Sequence, residues 1–83
     1  MSLNTTIKKV LVQNPIGIGL MEALVSKYNS EIKVAKATIT IYVNNSVGIG
    51  EHPQHLEEMD KLLEQIATNE DKLEAISKHF DLQ

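Results

Sequence analysis

A chain of 83 residues with 42% apolar and 4% aromatic content, a net charge of −3 and no cysteine has room for one small domain with an aliphatic core. The missing cysteines exclude disulfides, thiolate catalysis and sulfur-ligated zinc together. So small a domain buries only a modest share of its unfolded surface, which makes self-association or docking on a partner the expected support.

Residues 1–14 read as an N-terminal arm of a single domain whose remainder, 15–83, is a helical hairpin. Ile7, Val10 and Leu11 fit one helical turn, the stretch from Ile7 to Val12 also fits an edge strand, and Asn14-Pro15 ends either. The opening Met1-Ser2-Leu3-Asn4-Thr5-Thr6 is polar and lacks the apolar run of a signal peptide. No stretch approaches the roughly 20 apolar residues of a membrane span, so the expected location is the cytoplasm or a virion.

A helix is expected over about 20–45, where Met21, Val25, Tyr28, Ile32, Ala35, Ile39 and Tyr42 follow an unbroken 4-3-4-3-4-3 spacing. A strand competes for part of it. Ala35, Ala37, Ile39, Ile41 and Val43 alternate with Lys36, Thr38, Thr40 and Tyr42, and the β-branched run has high strand propensity. Length favours the helix, because its pattern spans 22 residues and the strand pattern nine.

The hinge is expected from Asn45 to Pro53, with Gly48 and Gly50 at its centre. The pattern Asn-x-Ile/Val-Gly-Ile-Gly occurs here and at Asn14 to Gly19, which suggests one break-and-restart geometry used twice, with glycine supplying positive φ or close approach. A second helix is expected over about 53–80, with Pro53 at its first position and Glu57, Glu58 and Asp60 near the positive end of its dipole. Its apolar stripe is Leu56, Met59, Leu63, Ile66, Leu73 and Phe80, widened by Leu62 and Ile76. Glu70 and Ser77 interrupt that stripe, and Glu57 to Lys61 and Glu74 to Lys78 are ordered as supporting ion pairs. The fold expected is therefore all-α, an antiparallel hairpin that self-associates, with an α+β arrangement as the alternative.

Candidate chemistry is sparse. Neither Gly-x-Gly segment has the third glycine of a dinucleotide fingerprint or the Lys-Ser/Thr of a phosphate loop. Ser26, Ser30, Ser46 and Ser77 lack a histidine in any nucleophile context, and Glu57-Glu58 is most simply a solvated face. No enzyme and no cofactor is expected. Glu51, His52 and His55 could form half of a divalent-metal or small-ligand site, although their spacing is not that of a metalloprotease helix and a capping role is simpler. Residues 1–50 carry +3 and residues 51–83 carry −6, without any arginine. Nucleic acid is thus not the expected ligand, and opposite charge on the two halves suits packing on each other or on a copy. Leu20, Leu24, Val34, Ile41 and Val43 fall outside the seam of the hairpin and mark further contacts with a homo-oligomer or a larger assembly.

Two resemblances add to this reading. The segment Tyr42-Val43-Asn44-Asn45-Ser46-Val47-Gly48-Ile49-Gly50-Glu51-His52-Pro53, with Asp60 to Ala75 after it, resembles small uncharacterised proteins of tailed bacteriophages. That implies a phage context and little mechanism. The order of a strand-like segment, a glycine loop, a helix to Asn29 and then Glu31 to Val43 is similar in topology to the phosphocarrier protein HPr. Gly17-Ile18-Gly19-Leu20-Met21-Glu22 stands where that family has its histidine and arginine, so the resemblance implies a fold alternative without phosphotransfer.

Overall fold

A computed structural model describes residues 8–44 and 53–83, the side chains of 53 and 54 excepted. In chain order it contains strand β1 (Val10–Val12), helix α1 (Pro15–Asn44), helix α2 (Pro53–His79) and strand β2 (Phe80–Leu82). The two helices pack side by side as a hairpin. The all-α hairpin expected from the spacing is the architecture observed.

Helix α1 begins at Pro15, about five residues before the start expected from the apolar pattern. The cause is a cap. Asn14 Oδ1 accepts the N–H of Ile16 at 2.8 Å and of Gly17 at 3.3 Å, satisfying donors that have no partner inside the helix. Pro15 occupies the first helical position, where its missing N–H costs nothing. Gly17 and Gly19 consequently lie within the first turns rather than in a break, and neither has positive φ. A Cβ on Gly17 would come within 3.3 Å of Val12 Cγ1, so glycine there permits close approach of β1 to the helix. The matching motif at Asn45, Gly48 and Gly50, the centre of the expected hinge, lies outside the described residues, as do Glu51 and His52.

The contested stretch from Ala35 to Val43 is helical throughout. Thr38 Oγ1 donates to the Val34 carbonyl at 2.8 Å, and Thr40 Oγ1 donates to the Lys36 carbonyl at 2.7 Å. Each hydroxyl is satisfied four residues back, removing part of the reason a threonine run prefers a strand. The α+β alternative needed a strand here.

Helix α2 ends at His79, and Phe80, expected as its last seam residue, is the first residue of β2. The two strands pair in parallel, with Val10 against Phe80, Leu11 against Asp81 and Val12 against Leu82. The Gln83 N–H extends the pairing to the Val12 carbonyl at 3.0 Å. Parallel strands require a long crossover, and here the whole helical hairpin is that crossover. Part of the expected arm is thus an edge strand joined to the other end of the domain.

The molecule is a single layer. Its Cα atoms extend 55 Å in the longest direction and 16 Å in the thinnest. The radius of gyration is 18.2 Å, where a compact domain of this length would have about 12 Å. Among the described residues no helix is long and apolar enough to cross a membrane.

Candidate interaction surface

The seam between the helices shows what each element spends on its own packing. From α1 it takes Met21, Val25, Tyr28, Ile32, Ala35, Ile39 and Tyr42, all at least partly buried, with Ala35 at 0% exposure. This is the face expected from the spacing. From α2 it takes His55, Met59, Leu62, Ile66, Asn69, Leu73 and Ile76, which also follow an unbroken spacing of four and three.

The α2 seam differs from the expected one. Leu56 and Leu63, placed there by the sequence pattern, are 72% and 59% exposed. Leu62, Asn69 and Ile76 take the corresponding inward positions, one residue before Leu63, Glu70 and Ser77. Met59, Ile66 and Leu73 face the seam as expected, so only the alternate positions of the stripe differ, each by one residue. Its two polar interruptions fall outside the seam and a different polar residue, Asn69, falls inside it. Asn69 is 2% exposed, and its Nδ2 donates to the Gln65 carbonyl at 2.8 Å. Its Oδ1 accepts no hydrogen bond among the described residues. Carrying such a group costs stability, and a buried asparagine in a helical seam commonly sets register in return.

Two contacts across the seam involve rings. Tyr42 and His55 lie with ring centroids 5.3 Å apart, and Lys72 Nζ stands 5.1 Å over the Tyr28 ring. His55 is thus drawn onto the tyrosine at the hinge end of the hairpin. Among the described residues no cluster of three histidine or carboxylate side chains could hold a metal ion. Two ion pairs among the described residues lie on the surface. Lys27 meets Glu31 at 3.8 Å, and Lys61 meets Glu58 at 3.8 Å rather than the expected Glu57. Helix α2 starts at Pro53 as expected, and its first acids, Glu57 and Glu58, follow one turn in.

Apart from Val10, Leu11 and Ile16 around the start of α1, the apolar residues left exposed outside the seam fall into two groups. One is an open groove of about 610 Å³ near the hinge end, lined by Ile39, Leu56, Glu57, Met59, Asp60 and Leu63. Both helices contribute to it. Lys36 and Val43, three before and four after Ile39, lie on the same side of α1 and are exposed. The second group belongs to α1 alone. Leu20, Leu24, Val34 and Ile41 are 64%, 38%, 61% and 62% exposed and form a stripe one residue ahead of the seam. The Lys27–Glu31 pair and Thr38 interrupt that stripe. Sequence spacing identified this second group and missed the groove, because Leu56 and Leu63 were assigned inward.

Among the described residues, ten large apolar side chains are more than a third exposed, from Leu24 at 38% to Ile16 at 75%. Compared with known proteins, the chain matches no family model, no curated protein and no solved structure.

Proposed function

We propose that this is a non-enzymatic interaction or structural protein, a helical hairpin whose apolar faces are covered by self-association or by docking on a larger assembly. The single observation that carries the reading is the set of apolar side chains that the seam leaves open: Leu20, Val34 and Ile41 in one group and Leu56 and Leu63 in the groove are each 59–72% exposed. Exposed aliphatic patches of that kind, with Glu57 and Asp60 at the groove rim, suit contact with another protein. The catalytic alternative finds little support, because the groove is open and its polar residues are two acids at the rim. An assembly of the tailed-phage kind fits the resemblance carried by residues 42–80 and would place the protein in a host cytoplasm or a virion.

The test is sedimentation equilibrium combined with thermal unfolding over a wide range of protein concentration. Self-association with a melting temperature that rises with concentration is expected, because subunits bound only in the folded state stabilise it by mass action. A monomer with loose, poorly cooperative melting points to docking on a different protein. A monomer that unfolds cooperatively at high temperature, independent of concentration, overturns the proposal.

A further inference from the structure

We infer that the groove lined by Ile39, Leu56, Met59 and Leu63 is the contact face for a second copy of this chain, related by a two-fold axis running along the helices. The inference rests on the interaction reading above and specifies its partner, face and symmetry.

Three observations point to a second copy. The groove leaves Leu56 and Leu63 72% and 59% exposed, aliphatic area that a second copy would cover. The groove is built from both helices, so two copies set face to face complete a four-helix arrangement with an enclosed aliphatic centre. The third observation is charge. Helix α1 carries three lysines against two glutamates, and α2 carries seven acids against three lysines.

Placement of the apolar residues then selects the symmetry. The groove lies in the hinge half of the hairpin, and beyond it α2 presents Glu70 and Ser77 at the positions continuing from Leu56 and Leu63. A self-matching contact must superpose this patch on itself. An axis along the helices does so with full overlap and both hinges at the same end. It also lays α1 of each copy on α2 of the other, running in opposite directions. Lys36, beside Ile39, is thereby brought over an acidic helix, with Asp60 and Glu57 at the groove rim. An axis across the helices instead stacks α1 on α1 and α2 on α2, which sets seven acids against seven. That arrangement is disfavoured by like-charge repulsion.

The experiment uses the full chain. Wild type, Leu56→Glu/Leu63→Glu and the control Leu20→Glu/Val34→Glu are compared by sedimentation equilibrium, with circular dichroism to check helix content. All four positions are exposed, so the helices should survive the changes. Wild type and control are expected to dimerise, and the groove variant is expected to be a helical monomer. A wild-type monomer overturns this inference, and its melting behaviour decides the broader reading separately. A wild type that dimerises together with a groove variant that still does so, or a control that does not, overturns the choice of face and leaves the broader reading standing.

Spin labels in the otherwise wild-type chain test the axis without relying on the groove variants. Lys61→Cys and Lys78→Cys are labelled singly, which the absence of native cysteine makes clean. The axial arrangement gives comparable distances between copies at the two sites. A crosswise axis through the groove would separate the Lys78 labels by about 50 Å, because 18 residues of helix span about 27 Å on each side of the axis. That larger separation overturns the proposed symmetry.

Discussion

The two helices solve the same packing problem with opposite materials. Helix α1 is rich in β-branched and small residues, carries no acid in its first turn and no base in its last, and leaves apolar side chains exposed away from the seam. Helix α2 is built largely from leucine, glutamate, lysine and alanine, which favour helix intrinsically, and ends on Lys78 and His79 at the negative end of its dipole. Their inward faces contrast in the same way. The most buried residue of α1 is the smallest side chain in its seam, Ala35, and that of α2 is the polar Asn69. Helix α1 thus depends on its surroundings to stay helical, whereas α2 depends on them mainly for position.

The contrast can be broken at the seam. Ala35→Leu forces side-chain volume into a site with no exposure, and overpacking of that kind costs about 1–3 kcal/mol. A lower urea midpoint with an unchanged slope is the expected readout. Asn69→Leu should act in the opposite direction. It removes a buried oxygen without a donor, a feature costing about 1–3 kcal/mol, and gives up the bond to the Gln65 carbonyl, worth about 1 kcal/mol. The expected net is a gain of about 0–2 kcal/mol in urea denaturation, accompanied by extra amide resonances from alternative helix registers. A single sharp set of resonances in this variant would show that Asn69 does not set register.

Smaller effects sharpen the comparison at the start of α1. Asn14→Ala deletes the acceptor for two helix-end N–H groups and should cost about 1 kcal/mol. Gly19→Ala should stabilise by about 0.5–1 kcal/mol, because a helical glycine is replaced where nothing lies within 4 Å of the new methyl group. Gly17→Ala should gain less or lose stability, since its methyl group meets Val12 Cγ1 at 3.3 Å. Matched thermal melts of the two glycine variants check this, and equal gains would mean that β1 yields without cost.

The sequence carried the helical pair and the inward face of α1 because an unbroken periodicity over seven residues has only one phase. It was less decisive for α2, whose leucines occur as the adjacent pair Leu62-Leu63, so that either could face inward. Choosing Leu63 made Glu70 and Ser77 look like seam defects, whereas choosing Leu62 puts one amide in the seam and both of those residues outside. Hydrophobicity alone could not separate these phases, because the better one buries a polar group at Asn69. The start of α1 was hidden by Gly17 and Gly19, whose low helix propensity is outweighed by the Asn14 cap and Pro15. The β1–β2 pairing was not legible either, since its partners, three residues each, lie at opposite ends of the domain.

That pairing also bears on how the chain folds. Contacts between residues some seventy positions apart close late, after the helices have met through their short connection. A heptad-patterned seam can form one repeat out of place, and such a slip would carry Phe80 about 10 Å along the helix axis relative to α1. Val10 would then find no strand beside it. The three-residue ladder is in effect a final inspection, completed only by chains whose helices have zipped in the native alignment.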